Sequence, residues 1–266
     1  MKNLANYILE AKKQNLDIDR RQPKSRSELE MIISGAFNRK QYDLNFIDTS
    51  KITDMSELFE GVKHNFDISS WDVSNVTNME FMFYYCKNFD CDLSNWDVSN
   101  VTDMSHMFDS CSIFIGKGLE NWDVSNVTNM YSMFLHCKKF DCDLSNWDMS
   151  NVIDTSLMFS NCAKFTGKGI ENWNVSKVKS MYAMFGDCTN SNCDVSNWDV
   201  SNVTDMDSMF VNCKKFTGKG LENWNVSKVK TMRTMFNGCK FNYHELDWDL
   251  SGLSSQLKTF RNYLDD

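Results

Sequence analysis

Proline and glycine are scarce in this chain, with 1 Pro and 11 Gly among 266 residues. So few turn formers exclude a meander of tight hairpins. No apolar run approaches the roughly 18 residues of a membrane helix, so no membrane insertion is expected. Histidine is also sparse, with 4 scattered copies. Neither a Gly-x-Ser-x-Gly elbow nor a His-Glu-x-x-His pair occurs, and no nucleophile, base and acid are set at a catalytic spacing. A non-enzymatic protein without a cofactor is therefore expected. Basic residues are outnumbered, 28 against 36 acidic ones, for a net charge of −8. That balance disfavours nucleic acid and anionic membranes as general partners. Met1 to Leu16 mixes Lys2, Glu10, Lys12 and Lys13 into a weak apolar pattern, so no signal peptide is read there. On these grounds a cytoplasmic or virion-associated location is expected.

Tryptophan, in contrast, is abundant and evenly placed. Trp71, Trp96, Trp122, Trp147, Trp173, Trp198, Trp224 and Trp248 lie 25, 26, 25, 26, 25, 26 and 24 residues apart. A period this short means a stacked repeat, because no unit of that size can bury its own apolar face. With Trp as position zero, the apolar positions are −3, 0, +2, +5, +8, +11, +12, +15 and +18, as in Leu93, Trp96, Val98, Val101, Met104, Met107, Phe108, Cys111 and Phe114. Trp96 and Val98 have strand spacing. Met104, Met107, Phe108 and Cys111 follow the i, i+3, i+4, i+7 spacing of one helix face, after the N-cap types Thr102 and Asp103. The spacing predicts a solenoid with parallel β-strands on one side and short helices or 3₁₀ turns on the other. The eight tryptophans form its structural core.

Residues 1–43 read as a helical N-terminal cap, 44–247 as a solenoid of about eight repeats of 24–26 residues, and 248–266 as a degenerate last repeat with a C-terminal cap helix. The N-terminal cap carries a capping box, Ser25 to Glu28, ahead of Leu29, Ile32, Ile33 and Phe37. The first coil is degenerate, with Ile47 in the place of Trp. A superperiod of 51 lies over the repeat. Asp90-Cys91-Asp92-Leu93 returns at Asp141, and Gly116-Lys117-Gly118-Leu119 returns at Gly167 and Gly218. The array reads as grown by duplication of coil pairs.

Seven of the 10 cysteines share position +15, from Cys86 to Cys239, and Cys91, Cys142 and Cys193 share another. Their expected role is that of small buried hydrophobes, not metal ligands. The +1 column, Asp72, Asp97, Asp123, Asp148 and Asp199 with Asn174 and Asn225, admits two readings. One is a row of divalent-cation sites with raised carboxyl pKa values. The other, preferred, is a hydrogen-bonded Asn-Asp-Ser ladder that fixes register. Lys117, Lys168 and Lys219 in the glycine linkers read as solvated. Positions +9, +10, +13 and +14 vary most between copies. Phe81, Tyr84, Tyr85, Tyr131, His136 and Tyr182 fall there and form the candidate partner-binding set.

The string Asn-Trp-Asp-Val-Ser-Asn-Val-Thr-Asn-Met-x-x-Met-Phe-x-x-Cys-x-x-Phe, seen at Asn121 to Phe140, resembles the BspA-like leucine-rich-repeat surface proteins. It is especially similar to the branch found in mycoplasma lipoproteins and in other bacteria and viruses. The resemblance implies a leucine-rich-repeat-like solenoid displayed at the cell surface, with a protein or cell-surface molecule as partner. Three functional expectations follow. They are a binding or adhesion protein first, a structural component of a virion or other assembly second, and a divalent-cation-binding repeat protein third.

Overall fold

A computed structural model describes residues 21–242, 246–251 and 253. The expected closing helix over Ser254 to Leu264 and the first 20 residues of the N-terminal cap lie outside them. The remainder is a stack of coils, each built as a chain of β-turns. In the coil of Trp96, the N–H groups of Trp96, Val101, Met107, Cys111 and Phe114 donate to the carbonyls of Leu93, Val98, Met104, Phe108 and Cys111 at 2.9–3.2 Å. The nine apolar positions are the first and last residues of these five turns. A turn brings those two residues within about 7 Å of each other, so the corners face inward together. All nine are buried.

Two expected elements are replaced. The helix over Met104 to Cys111 does not form, because His106 and Ser110 have φ of +54° and +64°, a conformation no right-handed helix tolerates. Each is the third residue of a turn, and a positive φ there is the type II signature. The same two positions are left-handed in other coils, at Phe81 and Tyr85, Ser132 and His136, Leu157 and Asn161, and Ser208 and Asn212. The strand is likewise reduced. Trp96 and Val98 belong to separate turns, and parallel pairing survives as single bridges, chiefly seven residues after Trp, from Asp54 through Asn78, Asp103 and Asn129 to Thr231, with Arg21–Ile47 and Asp43–Asp67 at the N-terminal end.

The hydrogen-bond accounting explains why turns win. The N–H groups of Met104, His106, Phe108 and Ser110 donate to the carbonyls of Asn129, Tyr131, Met133 and Leu135 in the next coil, at 2.7–3.1 Å. A helix would have used those donors internally. The N–H of Ser105 donates to Asp103 Oδ1 at 2.8 Å, and those of Met107, Asp109 and Cys111 close local turns. Every N–H from Met104 to Cys111 therefore has an acceptor, as a buried backbone requires.

Side chains stitch the coils in the opposite direction. Each Trp Nε1–H donates to the position −3 carbonyl of the preceding coil, as Trp147 does to Leu119 at 2.8 Å and Trp198 to Ile170 at 2.8 Å. The Cys111 thiol donates to the Phe83 carbonyl and the Cys137 thiol to that of Phe108. At position +4, Asn100 and Asn126 donate to the carbonyls of Ser74 and Ser99, both at 2.7 Å. Between these bonds the rings stack. Phe108 and Phe134 lie 5.6 Å apart and 2° from parallel, and Trp96 and Trp122 lie 6.3 Å apart at 0°.

Helix α1, Arg26–Asn38, covers the first coil. Ser25 Oγ accepts from the Glu28 N–H at 3.2 Å, while Glu28 reaches back to the Lys24 N–H at 2.8 Å. Leu29, Ile33 and Ala36 are buried, and Phe37 packs against Phe59 and Phe66. Arg26 donates to Ser56 Oγ at 2.8 Å and to the Ser56 carbonyl.

The 51-residue superperiod has a steric cause. At Gly118, φ +92°, a Cβ would meet Ser94 N at 2.2 Å, and at Gly116 a Cβ would meet Cys142 Cβ at 2.8 Å. The glycine linker is thus pressed between two Asp-Cys linkers, and a small thiol faces it on one side. Gly118→Ala should lower the urea stability by more than about 3 kcal/mol, from backbone overlap added to left-handed strain. Gly61→Ala, also left-handed but with open space around its Cβ position, should lose only about 1–2 kcal/mol. Equal losses in urea unfolding of the two variants would show that close approach is not what selects glycine.

Candidate interaction surface

Because turn corners point inward, the residues between them, +9, +10, +13 and +14, point away from the core. In the second coil these are Glu80, Phe81, Tyr84 and Tyr85. Phe81 and Tyr84 rings are 5.3 Å apart and 88° from parallel, and Tyr84 and Tyr85 are 5.1 Å apart at 62°. Phe81 lies flat against His106 of the next coil, at 4.3 Å and 9°, and His106 meets the edge of Tyr131 at 5.0 Å. Four of the six candidate residues, Phe81, Tyr84, Tyr85 and Tyr131, therefore join one strip through His106. His136 and Tyr182 are exposed on the same face, and neither makes a ring contact with that strip among the described residues.

His106 is the member that pattern reading passed over. It occupies the +10 position directly above Phe81, and that shared column number is the signal that could have found it. Asp109 holds it, with Oδ2 3.2 Å from His106 Nδ1. Asp109 is itself buried and accepts from Ser110 Oγ at 2.9 Å. Beyond this point small buried residues, Ser132, Ser156, Ser160 and Ala183, separate the exposed His136 and Tyr182.

The strip sits in negative potential. Burial, followed by the charges of Asp103, Glu57 and Asp54, raises the Glu80 pKa above its ordinary value. Burial, with Asp109, Tyr85 and Glu60, raises the Tyr84 phenol. Lys87 Nζ stands 5.0 Å from the centre of the Tyr85 ring, within cation–π range.

The other candidate columns resolve differently. In the +1 column, each aspartate is engaged within its own coil. Asp97 Oδ1 accepts from the Ser99 N–H at 3.0 Å, and Asp123 from that of Ser125 at 3.0 Å. Hydrogen bonds from the serine hydroxyl and then the serine N–H lower the pKa of Asp123 and Asp199. Where a shift is resolved it runs opposite to the rise that unneutralised stacked carboxylates would give, and it agrees with the hydrogen-bonded reading. Register is held instead by the position +4 asparagines, together with Asn146, which donates to the Glu120 carbonyl at 3.1 Å. Among the described residues no group of three His, Cys, Asp or Glu is placed to hold a metal ion, and no helix is long and apolar enough to cross a membrane.

The linker lysines are paired rather than free. Lys117 meets Asp92 at 2.8 Å and Lys168 meets Asp143 at 2.8 Å, and Lys219 pairs with Asp194. The cysteines are unpaired thiols. Burial pushes the thiols of Cys86, Cys142 and Cys193 up to about 12 and that of Cys91 to about 11.

A family model described as "Mycoplasma protein of unknown function, DUF285" matches residues 27–140, 114–169 and 154–264. The chain belongs to this family. Three overlapping DUF285 matches agree with a repeat protein, and the first begins inside α1, so the family unit includes part of the N-terminal cap. No curated protein and no solved structure matches the chain. DUF285 carries no assigned chemistry, so function has to be argued from the residues themselves.

Two outcomes are expected for this DUF285 protein. Lys117→Met, Lys168→Met and Lys219→Met combined should lower the melting midpoint at neutral pH. Asp92 and Asp194 are held down to about 2 from 3.8, mainly by the lysine hydrogen bonds. Their contribution is complete above the unfolded value and is lost as pH falls toward about 2. The midpoints of variant and wild type, followed by circular dichroism, should therefore converge on acidification. Thiol titration at mildly alkaline pH should run at least about a hundredfold slower on the native protein than on the unfolded one, because only thiolate reacts. A fast native phase would contradict the buried-column account.

Proposed function

We propose that this chain is a leucine-rich-repeat-like solenoid of the BspA-like kind, and that it serves as a non-enzymatic binding or adhesion module for another protein or a cell-surface molecule. The observation that carries this reading is the outward aromatic strip Tyr85, Tyr84, Phe81, His106 and Tyr131. Aromatic residues grouped on a rigid surface are what binding hot spots are made of, and Tyr85 is 47% exposed with no burial role of its own. The four variable positions per coil support the same reading. They can change without touching a corner of any turn, so the scaffold leaves them open to selection for a partner.

A second reading, a rigid spacer in a virion or other assembly, draws support from the unbroken phenylalanine stack. It makes the opposite prediction for the strip. Phe81→Ser, Tyr84→Ser and Tyr85→Ser combined, used as bait beside the wild-type chain in extracts and surface fractions of the native source, should lose specific proteins by quantitative mass spectrometry. Retained capture with an unchanged melting curve would refute the strip as a binding surface and favour the spacer.

A further inference from the structure

The aromatic strip has the chemistry of a cation acceptor. Phe81 and Tyr84 stand nearly at right angles, and Tyr84 and Tyr85 stand at 62°, so ring faces are presented in more than one direction. A ring face attracts an ammonium or guanidinium by its quadrupole, and does so more strongly as water is excluded. One such face is already occupied by a cation from the chain itself, since Lys87 Nζ lies 5.0 Å from the Tyr85 centroid. Among the described residues this is the one ammonium–ring contact, which leaves Tyr84, and the face of Phe81 turned away from His106, without one. Around the rings stand Glu57, Glu60, Glu80, Asp103 and Asp109, whose charges act on Glu80 or Tyr84. His106 is the neighbouring base that offsets them at Glu80, and Asp109 already bonds it. Negative charge gathered at an apolar, ring-lined face is balanced best by a positive partner with an aliphatic stem, which lysine and arginine both have.

Resting on the binding reading above, we infer that this face docks a basic segment of a partner protein, with a lysine or arginine side chain laid against the outer surface of the Phe81, Tyr84 and Tyr85 cluster and held by Glu60 and Glu80. The distinctive requirement is joint. Rings alone would accept any apolar peptide, and carboxylates alone would accept any cation anywhere on an acidic protein.

The test uses the full chain and three dye-labelled peptides of equal length, alternating serine with lysine, with glycine or with glutamate, followed by fluorescence anisotropy. The lysine peptide should bind at least about tenfold more tightly than the glycine peptide, and added salt should weaken it. Glu60→Gln with Glu80→Gln should weaken the lysine peptide about threefold or more, and the milder Tyr85→Leu should weaken it as well. Asp123→Asn with Asp148→Asn removes the same charge from the +1 column, where Asn174 and Asn225 already stand natively. This control should bind like the wild type. Equal loss in that control, or equal binding of lysine and glycine peptides, would overturn the proposal. Loss of captured proteins by the triple-serine variant, with no lysine preference, would overturn the cation chemistry alone and leave the binding surface standing.

Discussion

The structure depends on sending backbone N–H donors out of one coil and into the next. Four donors leave each full coil through the two linked turns at +8 to +15, and they are free to leave only because +10 and +14 take left-handed backbone. A helix over the same residues would bury the same methionine, phenylalanine and cysteine, but its donors would be consumed within the coil. Neighbouring coils would then lose four backbone bonds at each junction and keep few others, such as that from the Thr102 N–H to the Thr77 carbonyl. The strain of two left-handed residues per coil, about 1–2 kcal/mol each, is offset by the cohesion between coils that the four backbone bonds and the close ring stacking they permit supply.

That choice explains what could and could not be read in the residues. The 25-residue period, the buried tryptophan column and the nine apolar positions were legible, because burial writes itself directly into side-chain identity. Helix and strand were misread because an apolar pattern reports where side chains point and is silent about the sign of φ. Met104, Met107, Phe108 and Cys111 satisfy a helix face and two turn corners equally well. A fainter signal did exist at +14, where Asn161, Asp187, Asn212 and Gly238 are residue types that tolerate left-handed backbone. The preferred hydrogen-bonded reading of the aspartate column agrees with its serine contacts, but their direction was not legible. Its spacing suggested carboxylates repelling across coils, whereas each carboxylate turns onto its own serine. At the candidate surface the rings were legible, but their grouping was not. It is set by His106, which only the stacking of one coil on another places beside both Phe81 and Tyr131.

Separation of corner from intervening positions also divides labour on the surface. Nine positions per coil are committed to the core, and the serines, asparagines and threonines that follow Trp are committed to local turns or to carbonyls one coil away. What remains is a narrow strip on one face. At its N-terminal end it is aromatic and negatively charged, and farther along buried serine and alanine alternate with the exposed His136 and Tyr182. Coils that are nearly identical inside thus present different chemistry outside.

The opposed directions of the two donor sets give the array a head and a tail that are not interchangeable. Backbone donors at +8 to +14 point downstream, whereas the indole and thiol donors, together with the N–H at +6 (Thr102 to the Thr77 carbonyl), point upstream. The opening coil has no indole at the Trp position and no thiol at +15. The chain places Ile47 at the first and Val62 at the second, while Thr49, which does carry a donor, aims it forward to the Asp72 carbonyl at 2.7 Å. The degenerate opening coil thus departs from the later ones at the two positions whose side chains donate upstream, Ile47 and Val62.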